Sequence, residues 1–190
     1  CVLSLAESNA NTVSLTTGAY VTNYANTSAN LTINGTVTRS AVATGADLVG
    51  YGGFSSSNYL STSINTINFT SDFSILLWYT PAADSSGPIM GLTSSGGVSG
   101  YNPYPYFNMA TQTSYQVNYY SSADSGNITL TGATRVTGQP ALLLLVKRGN
   151  GLEFWCNGVK SASSIVNGNF TNPTALVCVG AAYYLSLIHI

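Results

Sequence analysis

The chain has 190 residues, of which 45% are hydrophobic and only 6% are charged, and its formal net charge is −1. Five scattered Lys and Arg residues, balanced by six Asp and Glu, exclude the basic surface that nucleic acids require. The longest apolar run, ALLLLV at 141–146, is too short to cross a bilayer as a helix. The apolar content excludes a disordered chain, and the length fits one domain with its own core.

Short alternating runs separated by Gly, Asn, Asp, Ser and Pro clusters predict an all-β protein with almost no helix. Their spacing is typical of an antiparallel β-sandwich. The Gly-rich stretch GYGGF at 50–54 lacks the Lys and Ser/Thr of a phosphate-binding loop and is interpreted as a turn. We expect strands at 12–17, 30–38, 73–80, 88–93, 105–111, 114–120, 127–131, 141–147, 152–156, 159–166 and 174–180.

Two of these runs, FSILLWY at 73–79 and ALLLLV at 141–146, are apolar on both faces. Strands buried on both sides have this pattern. In a sandwich it indicates central strands whose outer face is covered or lines a concave groove. We therefore expect Trp78 in the core.

The stretch LEFWCNG at 152–158 alternates sharply, so Trp155 and Phe154 point to opposite faces. Asn157-Gly158 matches a two-residue type I′ hairpin turn, which needs positive φ at both positions. Residues 141–166 thus predict a three-stranded meander. We interpret the charges of Lys147, Arg148 and Glu153 around its first turn as protection against edge-to-edge pairing.

The three cysteines, Cys1, Cys156 and Cys178, show no CxxC spacing. Cys156 and Cys178 both lie in strand-like runs and could face one another, but buried free thiols are favoured because Cys behaves as a small hydrophobe. The chain begins with Cys rather than Met, so we expect its natural N-terminus to lie further upstream.

Three segments carry a resemblance to a known family: FTSDFSILLWYTP, then PIMGLTS, then LLLLVKRGNGLEFWCNGVKSAS. Together they resemble the laminin-G-like, concanavalin-A-like jelly-roll domains over about residues 55–180. This implies an all-β, two-sheet antiparallel jelly-roll sandwich, which we expect to form one domain over residues 1–184. The last residues, LSLIHI at 185–190, resemble a translated sequencing-adapter scar of metagenomic reading frames and are expected to be a non-native tail.

The upstream stretch LTINGTVTRSAVATGADLVGYGGFSSSNYL, residues 31–60, is similar to the lead-in of such domains in bacteriophage virion proteins. The chain departs from the family by having Asn157 where an Asp is common and Gly138-Gln139-Pro140 where a Trp/His pair often stands. Some relatives hold calcium, but Asp72, Asp84 and Asp124 are isolated along this chain, so no calcium site is expected.

The sequence contains few residues that could catalyse a reaction. Jelly-roll glycoside hydrolases need two carboxylates about 5–10 Å apart. The six carboxylates stand at positions 7, 47, 72, 84, 124 and 153, and no two are close in sequence. The single histidine, His189, lies in the suspected tail, which removes the usual general base and metal ligand. We therefore expect no enzyme, no metal and no cofactor.

Carbohydrate binding needs few charges, because aromatic faces stack on sugar C–H surfaces while amides and hydroxyls bond the sugar hydroxyls. YNPYPYFN at 101–108 and YQVNYY at 115–120 supply such groups. The alternative is that these tyrosines cover the core and leave their hydroxyls in water. The predicted glycan groove comprises Tyr101, Asn102, Tyr104, Tyr106, Asn118, Tyr119, Tyr120 and Trp155.

The expected function is a non-enzymatic glycan- or surface-binding module of a phage virion protein, in a tail fibre, appendage or head decoration. Its partners would be a host-surface glycan or other virion proteins, with no nucleic acid and no membrane, within a homo-oligomeric virion assembly. Two alternatives are a purely structural assembly domain and an accessory adhesin domain of a secreted or surface-bound bacterial protein.

Overall fold

The structure, a computed structural model, describes residues 13–22, 30–55, 57–63, 71–82, 87–94, 107–111, 113–121, 126–166 and 175–180. These residues are all-β, as predicted, and contain no helix that could cross a membrane. The strands are β1 (Val13–Thr16), β2 (Tyr20–Val21), β3 (Leu31–Asn34), β4 (Thr36–Ala41), β5 (Val49–Gly52), β6 (Tyr59–Ser63), β7 (Phe73–Tyr79), β8 (Gly87–Ser94), β9 (Phe107–Thr111), β10 (Ser114–Ser121), β11 (Gly126–Thr134), β12 (Ala141–Arg148), β13 (Gly151–Cys156), β14 (Val159–Ile165) and β15 (Ala175–Val179).

The strands form three sheets, and all the strand pairs are antiparallel. The largest has eight strands in the order β11-β10-β9-β8-β15-β6-β3-β2. A four-stranded sheet has the order β14-β13-β12-β7, and a three-stranded sheet has the order β1-β4-β5.

The two smaller sheets pack side by side on one face of the eight-stranded sheet. Leu60, Val179 and Met90 are register neighbours across three of its strands, so their side chains share that face. Val179 packs against the core cluster under the four-stranded sheet and also against the cluster under the three-stranded sheet. The fold is therefore a sandwich, as expected, but its second layer is divided between two sheets.

The main core lies between the four-stranded and eight-stranded sheets. Phe154, Leu143 and Leu145 are fully buried there, opposite Val117 from β10. Each such side chain contributes about 1.5–3 kcal/mol by leaving water. The rings of Tyr79 and Tyr115 meet edge to face across the layers, 6.3 Å apart at 88°. Aromatic contacts of this geometry add to the burial term.

The strand predicted at 30–38 is wrong as a single element, because the chain forms two strands there, β3 and β4, in different sheets. Gly35 stands between β3 and β4 with φ of +68°, a backbone conformation that L side chains rarely adopt. The chain bends there and passes from the eight-stranded sheet to the three-stranded sheet. The hydrophobic alternation continues through the bend, which hides it in the sequence.

The interpretation of GYGGF as a turn is also wrong in its first part. Val49–Gly52 forms β5, which pairs with β4, and Tyr51 packs against the second core cluster. The last two residues, Gly53 with φ of +75° and Phe54, lie beyond the strand. Glycines weaken a strand locally, but the cross-strand partners and the buried Val49 maintain it here.

The meander over residues 141–166 is confirmed as β12, β13 and β14. Its second turn has positive φ at both central residues, 52° at Asn157 and 80° at Gly158, as the type I′ prediction required. The Asn157 side chain also accepts a hydrogen bond from the Leu142 amide at 2.9 Å. This bond ties the turn to the start of β12.

Trp78 is not in the core, contrary to expectation. Its side chain is 68% exposed, and Leu76 beside it is 62% exposed. Ile75 and Leu77 on the same strand face the core instead. β7 and β12 are thus apolar on both faces, although the outer face is not covered by any described element.

Lys147 does not protect an edge as interpreted. It follows the inward alternation of β12 and is 5% exposed, and its Nζ donates to the Ser71 carbonyl at 3.2 Å. The carboxylate of Asp72 accepts a hydrogen bond from the Gly149 amide at 2.7 Å. Both contacts fasten the β12–β13 turn to the segment that leads into β7.

Cys156 and Cys178 are buried free thiols, as favoured from the sequence. Cys156 belongs to the main core cluster, whereas Cys178 belongs to neither cluster. On β15 it alternates with Val179, so it faces away from the core side. The two sulfurs therefore lie on opposite sides of the eight-stranded sheet.

The burial of Cys178 predicts a dependence of stability on alkaline pH. Burial raises the pKa of its thiol from 9.0 to about 11. As pH rises above 9, the unfolded chain loses this proton first, so the free energy of unfolding falls up to about pH 11, by at most about 1.4 kcal/mol per pH unit. Urea denaturation between pH 8 and 10.5 should show this fall in the wild-type chain and a shallower one in Cys178→Ala. Equal slopes would contradict the assignment.

Candidate functional site

One row of residues crosses the whole eight-stranded sheet on the face away from the core. Each member is the direct register partner of the next, with one residue from every strand. The row is Thr129, Asn118, Asn108, Gly91, Cys178, Ser61, Thr32 and Tyr20. It contains no charged residue, and hydroxyl or amide residues stand toward both ends while two small residues stand at its middle.

The accessible parts of this row are its ends, because Gly91 and Cys178 at the middle are buried. At one end Asn34 lies next to the row, but its amide donates to Ser61 Oγ at 2.9 Å and to the Tyr59 carbonyl at 3.5 Å. These bonds use both amide protons within the sheet. That end is consequently less available to a ligand.

The other end forms what we call the β10–β11 polar patch: Gln116, Asn118, Thr129 and Thr131. Gln116 pairs with Thr131 and Asn118 pairs with Thr129, so the four side chains stand together on the outer face. Both threonines are exposed and both amides are half-buried. The alternating neighbours, Val117 and Leu130, are buried in the core. Because these neighbours point into the core, the four patch side chains must point to the outer face.

A hydrogen bond orders the centre of the patch. The Thr129 hydroxyl donates to Asn118 Oδ1 at 2.9 Å. It fixes the amide orientation and leaves the Nδ2 protons to point elsewhere. Two amides and two hydroxyls on a rigid sheet offer donors and acceptors at defined positions, which is what an uncharged hydroxyl-rich ligand requires.

Of the predicted groove residues, Asn118 belongs to this patch. Tyr101, Asn102, Tyr104 and Tyr106 lie outside the described residues, as do the side chains of Tyr119 and Tyr120. The backbones of Tyr119 and Tyr120 belong to β10, where Tyr119 pairs with Phe107, the residue that follows Tyr106 in the chain. The aromatic part of the groove stays a prediction.

Trp155 lies elsewhere, on the outer face of the four-stranded sheet. Its neighbours Phe154 and Cys156 are buried in the core, so its ring points away from the sandwich. Its Nε1 donates to Glu153 Oε2 at 3.2 Å, and Lys160 Nζ lies 6.0 Å from the ring centroid. Asn118 and Trp155 thus occupy opposite outer faces of the sandwich and do not line one groove.

Sequence reasoning missed Thr129 and Thr131 as site residues. The run NITLTG at 127–132 alternates apolar and polar residues, and this pattern places both threonines on one face. The pattern does not show which strand pairs with this run. The register β10–β11, including the irregularity between Ser114 and Gln116, became known only from the structure.

Three carboxylates fall within the described part of the chain, and each has its own surroundings. Asp72 accepts from a turn amide, and Glu153 binds Trp155 and Lys160. Asp47 lies in the bend before β5. Among the described residues, no group of three or more His, Cys, Asp or Glu stands together as a metal site.

No protein-family model and no curated protein sequence matches the chain. Solved structures do. Domain 4 of AbnA, a GH43 extracellular arabinanase from Geobacillus stearothermophilus, in complex with arabinotriose, is 14% identical with a TM-score of 0.52, over 91% of this chain and 74% of that one. The catalytic domain of an endo-1,3-beta-glucanase (laminarinase) from Thermotoga petrophila RKU-1 is 10% identical with a TM-score of 0.49. The match covers 93% of this chain and 89% of the laminarinase domain. The laminarinase catalytic domain from Thermotoga maritima MSB8 is 11% identical with a TM-score of 0.48, and the match spans 80% of this chain and 65% of the laminarinase.

These similarities correct one prediction. The expectation of no enzyme is wrong as an exclusion, because the similar structure with a TM-score of 0.52 is a domain of an extracellular arabinanase. Carboxylates that are distant in sequence do not exclude a catalytic pair, because a sandwich joins residues that are far apart along the chain. At 14% identity, the similarity to the arabinanase domain shows the fold alone, an antiparallel β-sandwich of the jelly-roll, concanavalin-A-like kind.

Proposed function

We propose that this chain is a carbohydrate-binding β-sandwich module that holds neutral sugars at the β10–β11 polar patch. The observation that carries the proposal is the juxtaposition of Gln116, Asn118, Thr129 and Thr131 on one solvent-facing surface without a charged residue. The row of uncharged residues extends from this patch across the sheet.

The chemistry of the patch favours neutral sugars over charged ones. A sugar hydroxyl both donates and accepts, and it is matched by the amides of Gln116 and Asn118 and by the threonine hydroxyls. An acidic sugar would need a cationic partner to offset the loss of its hydration, and the patch has none. The tyrosines of YNPYPYFN, which precede β9 along the chain, stay the predicted source of stacking surface.

We further propose a biological setting, a phage virion protein such as a tail fibre, appendage or head decoration. The support for it is the similarity of residues 31–60 to the lead-in of laminin-G-like domains in bacteriophage virion proteins. Weak single-site binding would be strengthened there by the number of copies on a particle. The genes on either side of this one test the setting, since portal, terminase or tail genes are expected next to it and a secretion operon would contradict it.

Replacement of Asn118 by Ala is expected to weaken sugar binding about 5- to 10-fold, because one or two hydrogen bonds to the ligand are lost. A glycan array that includes arabinotriose and β-1,3-glucan oligosaccharides first selects the ligand. Isothermal titration calorimetry with that ligand then compares the wild type with Asn118→Ala. Product analysis of the same samples shows whether the bound oligosaccharide is also cleaved.

The matched control is Ser163→Ala, a small polar residue exposed on the four-stranded sheet. Its affinity should equal that of the wild type. Absence of binding by a folded wild-type chain, or equal affinities for wild type and Asn118→Ala, would overturn the proposal.

A further inference from the structure

The β10–β11 polar patch consists of two cross-strand pairs, and each pair sets an amide opposite a threonine. Asn118 is the register partner of Thr129, and Gln116 is the register partner of Thr131. In both pairs the threonine is exposed and the amide is half-buried. The pairs stand two residues apart along the strands, about 7 Å, so they would contact different groups of one sugar.

The two pairs differ in whether a hydrogen bond joins them. The Thr129 hydroxyl donates to Asn118 Oδ1 at 2.9 Å, whereas no such bond joins Gln116 to Thr131, although the structure describes both residues. The longer Gln116 side chain also has more rotamers than Asn118. The Asn118 amide is therefore fixed in orientation, and the Gln116 amide can adjust to a ligand.

The bond within the Asn118–Thr129 pair decides what each group still offers to a ligand. A hydroxyl has one proton, and that of Thr129 is used, so its oxygen offers only lone pairs. Asn118 keeps both Nδ2 protons and is a donor. Because Oγ1 lies 2.9 Å from the Oδ1 atom of the same amide, the donor and the acceptor stand side by side.

One ligand group, a free hydroxyl, satisfies both atoms of the pair at once. Its oxygen accepts from Asn118 Nδ2 while its proton goes to Thr129 Oγ1. The oxygen of an ester or a methyl ether also accepts, but it has no proton and would face the lone pairs of Oγ1. A carboxylate has the same shortcoming and carries a charge that the patch cannot pair.

We propose that the Asn118–Thr129 pair determines specificity at the sugar site by selecting glycans whose hydroxyl at this position is unsubstituted. This inference rests on the proposed function, since it concerns the sugar bound at the β10–β11 polar patch. Glycans that are methylated, acetylated or deoxygenated at this one hydroxyl bind more weakly. Substitution of the hydroxyl next to Gln116 is tolerated better, because that amide can turn to present its oxygen or its nitrogen.

The exposure of Thr129 sets the size of the selectivity. A buried site that loses its hydrogen-bond partner discriminates by several orders of magnitude, because its polar groups are left without water. Thr129 is exposed and Asn118 is half-buried, so water replaces part of the bonding that a deoxy sugar lacks. A methyl group displaces this water without replacing its bonds. We therefore expect binding to weaken about threefold for the deoxy sugar and about tenfold for the methyl ether.

A glycan array tests the selectivity. It carries arabinotriose and β-1,3-glucan oligosaccharides, each unmodified and as a set in which one hydroxyl at a time is methylated. The wild type should bind one methylated member about tenfold more weakly than the unmodified glycan. Thr129→Val should bind the unmodified glycan more weakly and should no longer distinguish that member, because the acceptor is lost. Thr129→Ser keeps the hydroxyl and should recover the selectivity.

The matched control is Thr131→Val, the same substitution at the exposed threonine of the other pair. It should still distinguish the same methylated member. Both valines suit a strand, and circular dichroism verifies that the variants fold.

Three results would overturn the inference and leave the proposed function in place. The first is equal discrimination by Thr129→Val and the wild type, and the second is its loss in Thr131→Val. The third is a wild type that binds every methylated member as well as the unmodified glycan. A folded wild type that binds no unmodified glycan would instead overturn the proposed function, and this inference with it.

Discussion

Replacement of Phe154 by Ala should lower the free energy of unfolding by about 3–5 kcal/mol, the range found when a large buried aromatic is truncated. Phe154 is fully buried on β13 and faces the eight-stranded sheet from the centre of the meander. The cavity would lie between two sheets whose backbones are held by ladder hydrogen bonds, so collapse can relieve little of it. Urea denaturation followed by circular dichroism measures the change.

The control for this substitution is Val136→Ala, which truncates an apolar side chain that is 48% exposed in the β11–β12 connection. Its effect should stay within about 0.5 kcal/mol. A loss of less than about 1.5 kcal/mol for Phe154→Ala would mean that the layers are not packed on this residue.

Replacement of Gly132 by Ala is expected to cost about 1–3 kcal/mol, because it overfills a packed layer. A Cβ at this position would lie 2.6 Å from Cys156 Sγ and 2.6 Å from Phe154 Cε1. Both of those side chains are buried and have little room to move. The missing side chain of Gly132 thus makes room for Phe154 and Cys156 of β13. The free energy of unfolding from urea titration gives the size of the effect.

Gly52→Ala is the matched control, since Gly52 also lies in a strand, but nothing stands within 4 Å of an added Cβ there. It should leave stability nearly unchanged. A second test combines Gly132→Ala with Phe154→Leu, which removes the ring atoms in the way. The double mutant should be more stable than the sum of the single effects predicts, as expected for residues in contact. Strict additivity would contradict the close approach.

The parts of the fold that were predicted correctly depend on local pattern. The meander follows from the alternation around Phe154 and from the backbone that Asn157-Gly158 favours, and both are properties of a few neighbouring residues. The break at Gly35 and the position of Trp78 depend on which sheet lies opposite, and that is a long-range property. A run that is apolar on both faces is consistent with full burial and with an interface, so FSILLWY alone could not place Trp78.

The same distinction applies to the candidate site. The alternation within YQVNYY places Gln116 and Asn118 on the face opposite Tyr115 and Val117, which are buried in the structure. It could not show that the polar face of β10 adjoins that of β11 or that Trp155 belongs to the opposite side of the sandwich, because strand pairing joins residues through the register rather than through sequence distance.

Amide chemical-shift mapping of the chain, titrated with the glycan selected on the array, tests most directly whether sugar binds at the β10–β11 polar patch. We expect the largest shifts at Gln116, Asn118, Thr129 and Thr131, with none at Leu76 or Trp78 on the opposite face. Shifts concentrated on the four-stranded sheet, with an unchanged patch, would contradict it.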